Sequence, residues 1–284
     1  AIYGNISMAG ELKMVDVRFP KEFVKDFKGP KFGIEGIRRL LKVPKRPLLN
    51  NMIKPCTYTW APEFKELFYE AAVGGCDIIK DDELLANQDY NKLEDRVPAY
   101  MEMVDKADAE KGEKTLYTAN ITDKLDKFLE NADKVQELGG NALMINFPVM
   151  GYEALRMIAE DPSIKIPILG HMDFAGSMYM APFNGVSSHL ILGKLARLCG
   201  ADIVVHPAPY GKAQVIQEKY IRVANTMRWP FYHIKPTFPM PSGGITPGVV
   251  DKCINDLGYD IITVSYTHLR AHETSLHLVC RLLL

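Results

Sequence analysis

The sequence predicts an α/β protein, a (β/α)8 (TIM) barrel, and three observations carry that prediction. From residue 47 onward, short apolar runs alternate with amphipathic segments. Eight such runs occur, with seven helical segments between them. Polar and charged residues stand at the C-terminal ends of several of the runs. Strands alternating with helices build a parallel sheet, and runs that are apolar throughout suit strands buried on both faces. A doubly wound open sheet also alternates. It predicts a Gly-rich turn after the first strand, and Lys54-Pro55-Cys56-Thr57 is no such turn.

The first strand is expected over Leu48–Lys54 and the helix after it over Glu63–Val73, where Phe64, Leu67, Phe68 and Ala71 share a face. Gly74-Gly75 ends that helix. The pattern then repeats: a strand over Cys76–Glu83 and a helix over Pro98–Lys111; Thr115–Ile121 and Lys124–Leu138; Ala142–Phe147 and Tyr152–Ala159; Ile166–Phe174 and Ser188–Leu198; Asp202–Ala208 and Ala213–Met227; Phe231–Pro236 and Pro247–Leu257. Asp260–Val264 is the eighth strand. Residues 1–46 stand outside the alternation: a strand-like Leu12–Phe19 and a helix over Gly33–Leu41 read as the end of a preceding domain and a lead-in helix.

The chain has 284 residues, a net charge of −1 and 24% charged residues. That size fills a complete core, and the near-neutral balance argues against nucleic acid or a membrane surface held by bulk charge. No apolar stretch is long enough to span a bilayer, and no secretory signal opens the chain. Cys56, Cys76, Cys199, Cys253 and Cys280 are scattered and form no CxxC pair, so neither zinc nor a disulfide framework is suggested. A reduced cytoplasm is the expected location.

Chemistry in such a barrel sits at the C-terminal ends of the strands. The polar residues expected there are Lys54, Lys80, Asp82, Glu83, Asn120, His171, Asp173, His206 and Lys235. The run Gly74-Gly75-Cys76-Asp77-Ile78-Ile79-Lys80-Asp81-Asp82-Glu83 is the most specific signal. In a strand, Lys80 and Asp82 share a face and Asp81 takes the other; Glu83, at the strand's end, can turn into the mouth, which puts one lysine between two carboxylates, Asp82 and Glu83. A salt-bridge cluster is the bland explanation. A magnesium site is the functional one, because that ion takes carboxylate oxygens. Lysine joins the ligands only after its neutral amine reacts with carbon dioxide to give an anionic carbamate.

This run resembles the carbamylated-lysine motif of the RuBisCO large subunit and its relatives. The resemblance implies Lys80 as the carbamylated ligand, with Asp82 and Glu83 completing a Mg2+ site. Other stretches agree in order over about residues 1 to 264. Ile53-Lys54-Pro55 is similar to the family's first-strand catalytic lysine, and Gly170-His171 to its fifth-strand histidine. His206 with Gly211-Lys212 is similar to the sixth-strand phosphate-binding histidine and the mobile-loop lysine, with one residue fewer between them. Ser242-Gly243-Gly244-Ile245 is similar to the seventh-strand phosphate loop, whose N–H groups cradle an anion. Gly4-Asn5 resembles the asparagine that the amino-terminal domain contributes across a dimer interface, which implies a homodimer or larger homo-oligomer with shared sites. Gly29-Pro30-Lys31-Phe32-Gly33-Ile34 resembles the lead into the barrel. The implied catalytic set is Asn5, Lys54, Lys80, His171 and Lys212; His206, Ser242, Gly243 and Gly244 hold phosphate. His189 and His233 read as structural, and Lys235 as ambiguous.

Three positions depart from the carboxylase pattern. Cys56 stands where a second lysine is expected, Met172 where an arginine follows the histidine, and Met52 where a threonine precedes the lysine. These losses argue against bisphosphate carboxylation and fit RuBisCO-like proteins, which keep metal-assisted enolisation. The expected reaction is enolate formation on a small phosphorylated ketone, with 2,3-diketo-5-methylthiopentyl-1-phosphate enolisation first, and a related sugar-phosphate isomerisation or decarboxylation close behind. A divergent carboxylase and a non-catalytic phosphate-binding barrel are the alternatives. Lys54, its ammonium pKa lowered by burial, and the Lys80 carbamate are the candidate bases, and His171 the proton shuttle. Residues 1–28 read as the end of a truncated α+β domain of RuBisCO type and 29–265 as the barrel with an incomplete end. Residues 266–284, dense in histidine, read as a non-native tail resembling translated sequencing-adapter sequence.

Overall fold

A computed structural model of the chain describes residues 4–8, 10–213 and 215–265. The expected non-native tail, residues 266–284, lies outside them. Eight parallel strands form one sheet: β1 (Leu48–Met52), β2 (Ile78–Lys80), β3 (Leu116–Asn120), β4 (Ala142–Asn146), β5 (Ile168–His171), β6 (Ile203–Pro207), β7 (Phe238–Ser242) and β8 (Ile262–Ser265). Each of β1 to β6 pairs with the next, β8 pairs with β1, and β7 packs beside β8 without a ladder, so the sheet curls into a nearly closed barrel.

Side chains alternate across the strands and sort into two cores. Leu48, Ile78, Leu116, Met144, Leu169, Val205, Met240 and Val264 point inward and fill the barrel. Leu49, Ile79, Tyr117, Leu143, Ile168 and Val204 face the helices. The helix Gly33–Leu41 closes the lower end of the barrel, burying Ile34, Ile37 and Leu41 against the inward set. Phe32 and Gly33 donate their N–H groups to Asp202 Oδ1 at 2.7 and 2.9 Å and fix that plug. Gly33 is required there: its φ is +62°, and a Cβ would lie 2.7 Å from the Pro236 carbonyl oxygen. With the bottom plugged by apolar side chains, only the C-terminal ends of the strands offer an open polar mouth.

The seventh strand is not where the apolar run Phe231–Pro236 suggested. The strand is Phe238–Ser242, whose sequence Phe-Pro-Met-Pro-Ser argues against a central strand on its face. The ladder explains it. Phe238 donates to the Asp202 carbonyl and Ala208 donates to the Ser242 carbonyl, so residues 238, 240 and 242 bond toward β6. Pro239 and Pro241 therefore turn their nitrogens toward β8, across the one seam of the barrel with no ladder. Lys235 consequently precedes the strand instead of ending it. It donates to the Lys31 carbonyl beside the plug helix, at the end opposite the mouth.

Smaller differences follow similar lines. The second helix begins at Leu93 and contains Pro98 within it. The fifth helical segment is a π-helix, His189–Leu195, continued by Ala196–Leu198. The sixth begins at Gln217. After β5 the chain adds a short helix, Ala175–Tyr179, and a strand, Gly185–Val186, that pairs in parallel with Lys13–Met14. That pairing ties the amino-terminal segment to the rim of the mouth and shortens the expected Leu12–Phe19 strand to two residues.

Candidate active site

Met52, Lys80 and Thr118 stand at one level on β1, β2 and β3 and share the inward face. Lys80 is 1% exposed. Its Nζ donates to Glu83 Oε2 at 3.0 Å and to the Asp81 carbonyl at 3.0 Å, and lies 2.9 Å from Met52 Sδ. Lys54, just past β1, pairs with Asp82 Oδ2 at 2.5 Å and reaches Cys56 Sγ at 2.9 Å. Two lysines and two carboxylates thus interlock at the mouth. Asp81 turns outward, as alternation requires, into a buried network: Arg96 at 3.0 Å, the Tyr117 hydroxyl at 2.8 Å and the Asn120 N–H at 2.9 Å. Asn120 and Asn146 donate their side-chain amides to the Glu83 carbonyl at 3.1 and 2.9 Å. These bonds fix the bend after β2 that carries Glu83 into the mouth.

Electrostatics divide the labour. Burial works against the charge on Glu83, but Lys80 outweighs it and holds the carboxyl at about 2. Burial also disfavours the ammonium of Lys54, yet the hydrogen bond to Asp82 prevails and raises its pKa above the ordinary lysine range. This corrects the expectation that burial would free Lys54 to act as a base: a carboxylate at 2.5 Å holds its proton. His171 is 4% exposed, and burial, aided by Lys80, pushes it down to about 3, so the ring is neutral. The Asp173 N–H donates to Nδ1 at 3.4 Å, which leaves the ring proton on Nε2, 3.5 Å from Glu83 Oε2. Asp173 Oδ1 lies 3.5 Å from Nδ1, and burial beside Glu83 raises its carboxyl to about 6.

The opposite wall is backbone. Gly243 and Gly244 follow Ser242 at φ of +96° and +105°, a left-handed path that glycine takes without strain. Gly211 and Lys212 lie directly on this turn: the Lys212 N–H donates to the Gly243 carbonyl at 2.8 Å, and a Cβ on Gly211 would fall 2.0 Å from that oxygen. Lys212 and the glycine turn are thus brought together. Ser242 faces inward and donates to the His206 carbonyl at 3.3 Å.

His206 is not brought to the mouth. Ile203 and Val205 face the barrel interior, so His206 takes the outward parity. Its ring packs 5.4 Å from that of Tyr220 and is fully buried, and among the described residues neither ring nitrogen has a hydrogen-bond partner. Val205, one place before His206, occupies the inward position. Asn5 is exposed in a 3-10 turn, Asn5–Met8, and among the described residues no hydrogen bond joins it to Lys80. Asn146 and Thr118 were not anticipated, and Asp173 was noted only as polar. Inward parity at a strand end is the signal that finds the first two: Thr118 Oγ1 and Asn146 Oδ1 are buried without partners beside the lysine cluster.

The model of the ribulose bisphosphate carboxylase large chain, catalytic domain, matches residues 33–269. A ribulose bisphosphate carboxylase-like protein of Archaeoglobus fulgidus is 60% identical over 271 residues, covering 95% of this chain and 62% of that protein. A 2,3-diketo-5-methylthiopentyl-1-phosphate enolase of Bacillus cytotoxicus is 36% identical over 260 residues, covering 92% and 63%. The crystal structure of a rubisco-like protein (MtnW) from Alicyclobacillus acidocaldarius superposes with a TM-score of 0.90 at 36% identity, covering 97% of this chain and 69% of that one. The chain therefore spans less than two thirds of the length of the two relatives compared by sequence.

Proposed function

The chain belongs to the ribulose bisphosphate carboxylase large-chain family, and from that premise we propose that its parent protein forms an enolate from a small phosphorylated ketone. The observation that carries the reading is Lys80, buried at the end of β2 with Glu83 at 3.0 Å and Asp82 on the adjoining residues. The donor set fits magnesium. Two carboxylates are close by, and the buried Thr118 hydroxyl, level with Lys80 and without a partner, is available to a group added at Nζ. Lys80 as its carbamate, Asp82 and Glu83 would hold the ion. Bound there, magnesium would supply a Lewis acid for the substrate carbonyl.

The remaining steps belong to the side chains. Lys54, kept protonated by Asp82, acts as a donor that steadies an oxyanion. That leaves Lys80 in its carbamate form as the base for the proton beside the carbonyl. His171 holds a proton at Nε2, facing the mouth through Glu83, and is the shuttle. The N–H groups at Gly243 and Gly244, with Lys212 resting on that turn, bind the phosphate. Cys56 and Met172 leave the mouth without two cations that a second phosphate would call for, and Asp173 adds a carboxylate there. A substrate with one phosphate suits this mouth, and the enolase of Bacillus cytotoxicus supplies the first candidate, a 2,3-diketo-5-methylthiopentyl 1-phosphate. Asn5 would complete a neighbour's site in a homo-oligomer, and residues 1–28 would end an amino-terminal domain. The test is magnesium titrated with and without bicarbonate, followed by a screen of phosphorylated ketones for solvent-deuterium wash-in. Binding that needs bicarbonate, lost in Lys80→Ala, is expected; binding indifferent to both overturns the reading.

A further inference from the structure

We infer that Glu83, His171 and Asp173 form a divalent transition-metal site that needs no modified lysine. One ligand atom from each lies within 4.8 Å of the others. Glu83 comes from the bend after β2, His171 ends β5, and Asp173 follows two residues later. Two carboxylate oxygens with one imidazole nitrogen make a mixed set. Manganese, iron or zinc accepts such a set, whereas magnesium prefers oxygen throughout.

The local geometry asks for a cation. The imidazole is wedged between two carboxylates, 3.5 Å from Glu83 on one side and 3.5 Å from Asp173 on the other. Both separations exceed a good hydrogen bond, and a neutral ring has a single N–H to offer. The Asp173 carboxylate therefore faces an unprotonated ring nitrogen, Nδ1, which accepts only the long 3.4 Å bond from the Asp173 N–H. A separate observation points the same way. Asn146 stands level with His171 on β4, is 5% exposed, and donates its amide to the Glu83 carbonyl at 2.9 Å. Among the described residues its Oδ1 is buried and accepts no hydrogen bond, a cost that a cation bound nearby and its hydration relieve.

The Lys80 ammonium, 3.0 Å from Glu83 Oε2, opposes a cation at this place. That sign separates the site from the carbamate centre. Removing Lys80 destroys the carbamate centre and strengthens this one.

The experiment titrates Mn2+ alone into the chain in bicarbonate-free buffer, followed by the loss of the free-ion electron paramagnetic resonance signal. Lys80→Met is expected to bind Mn2+ tighter than wild type, on the order of tenfold or more. Asp173→Asn, a near-isosteric change on a half-exposed side chain, is expected to weaken Mn2+ binding on the order of 10–100-fold in both backgrounds. It leaves Lys80, Asp82 and Glu83 in place, so bicarbonate-dependent Mg2+ binding is expected to survive it. Mn2+ binding that disappears in Lys80→Met, or that ignores Asp173→Asn, overturns the inference whatever becomes of the carbamate centre. Absence of Mn2+ binding in all forms overturns it as well.

Discussion

Replacing His206 by leucine should stabilise the protein, although sequence resemblance assigns that histidine to phosphate. The ring is fully buried against Tyr220 with neither nitrogen hydrogen-bonded. A neutral imidazole carries one donor and one acceptor, and leaving such a group buried without a partner costs about 1–3 kcal/mol. Leucine, of similar size, removes both. His206→Leu is therefore expected to gain about 1–2 kcal/mol at neutral pH. Acid widens the gap. Burial pushes His206 from 6.5 down to about 3. The folded state keeps the ring neutral while the unfolded chain takes up a proton below 6.5, so this contribution is complete above 6.5 and lost as pH falls toward 3. One proton is worth about 1.4 kcal/mol per pH unit, so wild type should lose roughly 2–3 kcal/mol through this residue between pH 6.5 and 4.5. Urea unfolding of both proteins at neutral pH and at pH 4.5 reads the difference, and other titrating groups cancel. A variant less stable than wild type at both pH values, or one that loses inorganic phosphate binding, refutes the outward assignment.

Two further substitutions test the frame around the site. Asp81→Ala strips the partner from Arg96, both side chains being fully buried at 3.0 Å, and orphans the Tyr117 hydroxyl and the Asn120 N–H. Breaking such a pair costs about 3–5 kcal/mol, so thermal unfolding should show a severe loss, and a change under 1 kcal/mol would remove the network from the account. Gly211→Ala drives a methyl to 2.0 Å from the Gly243 carbonyl oxygen and forces the two loops apart. Phosphate affinity measured by calorimetry should fall on the order of tenfold or more, and unchanged affinity would separate the phosphate site from this contact.

The architecture was legible because fully apolar strands and amphipathic helices leave different patterns, and inward parity follows from them by alternation. Where the reading failed, a local exception prevailed. Phe-Pro-Met-Pro-Ser forms a strand because both prolines face the barrel's unladdered seam, a tertiary fact that no run of residues records. In Phe231–Ile234 only the two ends are apolar and packed, Phe231 near Phe19 and Ile234 in a small cluster with Val24 and Leu198, whereas Tyr232 and His233 are exposed and bond the Phe19 and Phe27 carbonyls. His206 matches the residue type of the family motif, but its place on the strand, between inward Val205 and the strand end, gives it the outward direction. Lys54 was placed correctly and its protonation was not, because the partner at 2.5 Å comes from a neighbouring strand. Around Lys80, spacing alone puts Asp82 on the inward face and Asp81 on the other, whereas Glu83 reaches the mouth through a bend that Asn120 and Asn146 hold from neighbouring strands. Asp173 carries no such spacing signal, and only the fold brings it to Glu83.

On the proposed function, Lys80 becomes a metal ligand by reacting with carbon dioxide. Calorimetric titration of Mg2+ into wild type and Lys80→Ala, each with and without bicarbonate, tests it most directly. Magnesium is expected to bind wild type only after bicarbonate, and none of that bicarbonate-dependent binding is expected in Lys80→Ala. Magnesium binding of equal strength in all four titrations, or in none, would contradict it and leave Lys80, Asp82 and Glu83 as a salt-bridge network at the mouth of the barrel.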